Sequence, residues 1–89
     1  MFRLDWLQPA LDELTNIWLQ ADTSLRLAIT RATHEIERRL LTNPSNEGES
    51  RAQGQRLTFV QPLAVTFQIE ADGRTVTVLH VRLFRPRQR

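Results

Sequence analysis

Residues 56–84 constrain this chain most, because they alternate apolar and polar side chains and are interrupted twice by turn residues. Leu57 and Phe59 alternate with polar neighbours. After Pro62, Leu63, Val65, Phe67 and Ile69 alternate with Ala64, Thr66, Gln68 and Glu70. After Asp72-Gly73 the chain climbs again through Val76, Val78, Leu79, Val81 and Leu83. Successive side chains of a strand point to opposite faces, so a period of two between turns predicts an antiparallel meander with strands at 56–60, 63–70 and 75–84.

The Asp72-Gly73 dipeptide suits a tight hairpin, since both residues tolerate the positive φ that matches strand twist. A two-residue loop there faces Ala71 with Arg74, Ile69 with Val76 and Phe67 with Val78. Continued without a break, the same register sets Val65 against His80 and Leu63 against Arg82, leaving an imidazole and a guanidinium among aliphatic groups. That is costly unless each is paired. A one-residue bulge near Val78-Leu79 removes the conflict: it hides Leu79, Val81 and Leu83 and aims His80 and Arg82 outward. The sequence therefore predicts a bulge, the alternative being a sheet with a partly apolar groove on its second face.

The N-terminal half is helical by pattern. Phe2 to Trp6 alternates and reads as a short first strand. Pro9 falls where a first helical turn tolerates a missing N–H, and Ala10, Leu11, Leu14, Ile17 and Trp18 recur at three and four over 9–20. Asp22 or Thr23 is placed to cap a second helix, 24–41, whose apolar face is Leu25, Ile29, Ala32, Ile36 and Leu40. Arg31, Glu35 and Arg39 are four apart on its outer side and are expected to pair. Trp18 reads as a packing residue and His34 as surface. Residues 43–55 have no periodicity and form a long loop. The expected architecture is α+β, in the order β-α-α-β-β-β: one domain over 1–89, with a two-helix hairpin packed on one face of an antiparallel sheet.

The chain has 89 residues and no cysteine, which excludes a disulfide framework and thiolate metal sites. No apolar run of membrane-spanning length occurs, and Arg3, Asp5 and Trp6 interrupt any signal-peptide core, so a cytoplasmic protein is expected. His34 and His80 are too isolated for a metal site, and Gly48, Gly54 and Gly73 lack the spacing of a phosphate-cradling loop. No cofactor is implied. All twelve basic residues are Arg. Residues 1–55 carry six Arg against eight acids, a net of −2, and residues 56–89 six Arg against two acids, a net of +4. Arg85, Arg87 and Arg89 crowd the end. A basic C-terminal half points to an anionic partner, either nucleic acid or an acidic peptide, or to a solvated tail with a bias for Arg.

The element order resembles the RelE/ParE superfamily of bacterial toxins. The likeness runs through Trp6, Ala10, Leu14 and Ile17-Trp18, then Ala32, Ile36, Leu40 and Asn43-Pro44. It continues in Gly48-Glu49-Ser50-Arg51, Arg56-Leu57, Pro62 to Phe67 and Val76 to Leu79. The resemblance implies a type II toxin–antitoxin pair, with a cognate antitoxin peptide bound to the basic sheet and tail through Arg56, Arg82, Arg85, Arg87 and Arg89. Some members of the superfamily cut messenger RNA on the ribosome and others poison DNA gyrase. RNA cleavage by 2′-hydroxyl attack needs a proton acceptor, a proton donor and cations beside the phosphate. RelE-like members commonly supply these from Lys, Arg and a C-terminal Tyr or His. This chain has no Lys and no Tyr, and Ala64 stands where the family's middle-strand Arg is expected. The substitute set is His80, Arg82, Arg56 and Glu49: His80 supplies the strand's one imidazole, Arg56 and Arg82 together with Arg85 would clamp a phosphate, and Glu49 would serve as base if its loop folds over the sheet. A ribonuclease, a gyrase-type inhibitor acting by binding, and a non-toxic binding module are the three classes compatible with this pattern.

Overall fold

The computed structural model describes residues 2–84. A five-stranded mixed sheet carries two helices on one face. The elements are β1 (Arg3–Trp6), α1 (Gln8–Leu19), α2 (Thr23–Thr42), β2 (Glu49–Ser50), β3 (Gln55–Val60), β4 (Leu63–Ile69) and β5 (Thr75–Leu83), and the strand order is β1-β5-β4-β3-β2. Strands β2 to β5 are antiparallel, whereas β1 runs parallel to β5 at the sheet edge, so the sheet is mixed rather than wholly antiparallel. The expected loop over 43–55 contains the short strand β2 and two single turns of 3-10 helix, Pro44–Asn46 and Ala52–Gly54. None of the described helices is long and apolar enough to cross a membrane.

The meander forms as its alternation predicts. Gln61-Pro62 turns the chain between Val60 and Leu63 through a cis peptide bond. The second hairpin keeps the expected register with a longer loop. Glu70 N–H donates to Thr75 O at 2.8 Å, closing four residues rather than two. Asp72 acts from its side chain: Oδ1 accepts the N–H groups of Arg74 and Thr75 at 2.8 and 2.9 Å, and Oδ2 accepts the Thr75 hydroxyl at 2.8 Å. These donors hold the Asp72 carboxyl below its usual range. Gly73 then takes the left-handed conformation, φ +70°.

The predicted bulge is present. Phe67 pairs with Val78 and Thr66 with His80, so Leu79 is the extra residue. Beyond it Val81 pairs with Val65 and Leu83 with Leu63, restoring apolar residues to the helix face. Val81 is buried and His80 and Arg82 are exposed, as expected; Leu79 is half-buried and Leu83 stays exposed at the sheet end. Deleting Leu79 would leave every pair on either side in register and merely flatten the hairpin. That deletion is expected to preserve the fold and to lower Tm by only about 4–8 °C, the equivalent of ~1 kcal/mol for a domain of this size. Loss of cooperative thermal unfolding by circular dichroism would show that the bulge is needed for folding itself.

Both helices start and stop for identifiable reasons. Pro9 occupies the first turn of α1. Asp22 caps α2 by accepting the Leu25 N–H at 2.8 Å. Arg26 donates to the carbonyls of Trp18 and Leu19 at 2.9 and 3.1 Å, satisfying the end of α1, and its guanidinium lies 4.2 Å from the Trp18 ring centroid. Trp18 is thus an exposed packing partner of Arg26 rather than a core residue. The core joins Ala10 of α1 and Ile29, Ala32, Ile36 and Leu40 of α2 to Leu63, Val65, Phe67, Val76, Val78 and Val81 of the sheet.

Candidate functional site

The pairing registers decide which candidate side chains share a face. Directly paired residues point the same way, so each ladder position defines a row across the sheet. Trp6, Val78, Phe67 and Arg56 form one row, and Val81, Val65 and Thr58 another, both facing the helices. On the open face the rows are Glu49, Leu57, Thr66 and His80, then Phe59, Ala64 and Arg82.

The open face is therefore a trough. Its floor is Ala64 and Thr66 on β4, one wall is Leu57 and Phe59, and the other is His80 and Arg82. Phe59 is 44% exposed, and its ring centroid lies 4.8 Å from that of Phe84, which is 39% exposed. Phe59 and Phe84 thus form a partly exposed aromatic pair on the face that also carries Arg82. Strand spacing separates the Phe59 and Arg82 backbones by about 10 Å, and the contact of Phe59 with Phe84 bridges that gap at one end.

Arg56 lies elsewhere. It faces the helix side, where Nε donates to Glu47 O at 2.9 Å, Nη1 to Ser50 Oγ at 3.0 Å and Nη2 to Gly48 O at 3.2 Å. Its guanidinium holds the 47–50 segment against β3. Sequence grouped it with His80 and Arg82; the structure puts it on the opposite face. Glu49 does share the open face with His80, but three strand spacings, about 14 Å, separate their backbones. Its carboxylate is 71% exposed and pairs with Arg51 at 3.1 Å. Arg85, Arg87 and Arg89 lie outside the described residues. They carry most of the C-terminal charge: residues 56–84 hold Arg56, Arg74 and Arg82 against Glu70 and Asp72, a net of +1, and residues 85–89 add three.

Two acids invisible to sequence reading organise this region. Glu47 accepts from Arg39 Nη1 at 3.3 Å and from the Thr58 hydroxyl, so a buried threonine and the loop are tied to α2. Arg39 and Arg38 also clasp Glu35, with Arg39 Nε at 2.7 Å and Arg38 Nε at 3.0 Å, so Glu35 pairs with these rather than with Arg31. The Arg38 and Arg39 hydrogen bonds hold the Glu35 carboxyl down at about 2. A depressed folded pKa contributes stability above the unfolded value, about 4.3, and loses it as pH falls toward 2. Wild type and Glu35→Gln are accordingly expected to differ in Tm at pH 6 and to converge near pH 2. A constant difference across that window would mean that the clasp does not act through the charge.

The second acid is Glu13 on α1. Its Oε1 accepts the Val81 N–H at 2.9 Å, and its Oε2 lies 3.6 Å from His80 Nδ1. A cleft beside it is lined by Glu13, Asn16, Ile17, Val81, Arg82 and Leu83. No sequence signal marks Glu13, because contact between residues 68 positions apart depends on how α1 passes the strand edge.

No protein-family model and no curated protein matches the sequence. Solved structures do match its fold. A chain from the chromosomal ParDE toxin–antitoxin system of P. aeruginosa superposes with a TM-score of 0.75 over 96% of this chain and 98% of that one, at 17% identity. A chain of the RelBE2 toxin–antitoxin complex of Mycobacterium tuberculosis gives 0.71 over 92% and 90%, at 14% identity. The isolated E. coli RelE toxin gives 0.66 over 99% and 89%, also at 14% identity. The fold is that of the RelE and ParE toxins, along almost the whole chain.

Proposed function

We propose that this chain is the toxin of a bacterial type II toxin–antitoxin pair, neutralised by an antitoxin peptide bound to its sheet and basic tail. One observation carries the reading: the fold is shared end to end with chains that come from toxin–antitoxin systems, with neither side left substantially uncovered. The trough on the open face, with Phe59 and Phe84 beside Arg82, supplies a surface for a macromolecular partner, and Arg85, Arg87 and Arg89 add charge that attracts an acidic one.

The target is translation or DNA gyrase. A messenger-RNA endoribonuclease is the reading favoured by His80 and Arg82, which share the trough wall with a carboxylate beside them. Pulse-labelling of protein and DNA synthesis within minutes of inducing the chain alone tests the proposal. A prompt fall in protein synthesis supports ribonuclease action, and a first fall in DNA synthesis supports a gyrase-type inhibitor. Unchanged synthesis of both by soluble, folded protein would overturn the toxin reading and leave a binding module of the same fold.

A further inference from the structure

We infer that Glu13 is the positioning residue for His80, holding the imidazole so that Nε2 faces the trough as a proton acceptor beside Arg82, for a substrate of the RNA phosphodiester class. The inference deepens the endoribonuclease arm of the proposed function and rests on it.

Strand β1 pairs with β5 only from Thr75 to Val78, so among the described residues the outer edge of β5 beyond the bulge has no neighbouring strand. Its backbone donors there need other partners. The Val81 N–H finds Glu13 Oε1, and that bond fixes the carboxylate at the strand edge. The second oxygen is then directed toward His80 Nδ1, at 3.6 Å, longer than a hydrogen bond but close enough for the carboxylate charge to act on the ring. A carboxylate on that side favours the tautomer protonated on Nδ1 and so leaves the Nε2 lone pair free. The imidazole is about half exposed, so Nε2 is reachable. Arg82 stands two residues on, on the same face, about 7 Å away along the strand. A base and a guanidinium at that spacing match a 2′-hydroxyl next to an anionic phosphodiester: the hydroxyl proton passes to Nε2 as its oxygen bonds to phosphorus, the P–O5′ bond breaks, and the departing 5′-oxygen takes a proton from solvent. RNA carries that hydroxyl and DNA does not. Glu49, the carboxylate singled out by sequence, is too far across the sheet for this role.

Glu13 also has a purely structural use as the Val81 cap, and Glu13→Gln separates the two. Glutamine retains an oxygen for the Val81 N–H and loses the charge beside His80. The first readout is the neutral His80 ring in the ¹⁵N-labelled full chain, by two-bond ¹H–¹⁵N correlation with His34 as internal reference. The proton is expected on Nδ1 in wild type and on Nε2 in Glu13→Gln. The second is cleavage of messenger RNA on purified ribosomes. Glu13→Gln is expected to slow cleavage by about 100-fold at unchanged Tm, and to cost nothing further in a His80→Ala background. An Nε2-protonated ring in wild type, or losses that multiply in the double variant, would overturn the positioning role. The expected tautomer with no cleavage by wild type would overturn the substrate class, and pulse-labelling would then separately decide the toxin reading.

Discussion

Phe67→Ala is expected to cost about 3–5 kcal/mol, the range for truncating a buried aromatic in a core that only partly collapses. Total stability for 89 residues is roughly 4–13 kcal/mol, so the variant retains a fraction of the wild-type margin or none. The size follows from position. Phe67 is fully buried at the centre of β4, between Val78 and Arg56 in a row that also includes Trp6, directly beneath the helices. Its ring fills the space between strand and helix layers, so its removal leaves a cavity bounded by both. Urea denaturation should show the midpoint displaced with little change in slope, and Tm should fall by about 12–40 °C. Phe67→Leu should fall much less. A Tm within a few degrees of wild type for Phe67→Ala would place the core elsewhere.

The central rows were legible because alternation and the cost of burying charge act together. Continuing the hairpin register without a break would have buried His80 and Arg82, and that conflict alone located the bulge within a residue of Leu79. The face of β3 was not legible. Its apolar residues Leu57 and Phe59 line the open trough, while Arg56 and Thr58 turn toward the helices. A polar residue can face inward when its partners are supplied, and here they are Glu47 and the loop carbonyls, 8 to 11 positions away. The alternation of β3 therefore fixed its periodicity but not its sidedness. The direction of β1 was hidden for a related reason: four alternating residues state that a strand exists, not which neighbour it meets. Of the candidate site, His80 and Arg82 were found through the bulge. Glu13 was missed because its partner is a strand edge that β1 leaves uncovered.

The loop over 43–55, featureless in sequence, holds the most position-specific glycine. Gly48 has φ +71°, where an L side chain carries a penalty of about 1–2 kcal/mol. A Cβ there would also sit 2.2 Å from Leu57 O and 2.8 Å from Leu57 C. These are backbone atoms of a strand paired on both sides, so they cannot retreat without breaking the contact of Glu49 with Leu57 or the ladder between β3 and β4. Gly54 and Gly73 also have positive φ, +76° and +70°, but nothing lies within 4 Å of either Cβ position. Gly48→Ala is therefore expected to cost about 3 kcal/mol or more, and Gly54→Ala or Gly73→Ala about 1 kcal/mol. Denaturant midpoints of the three variants measure this directly. Hydrogen exchange should localise the larger loss to β2 and the adjoining edge of β3. Moving Gly48 also displaces the carbonyls that Arg56 holds at Glu47 and Gly48, so a guanidinium on the helix side would lose two of its acceptors at once. Equal costs at Gly48 and Gly73 would mean that the loop stands off the strand and that Arg56 does not clamp it.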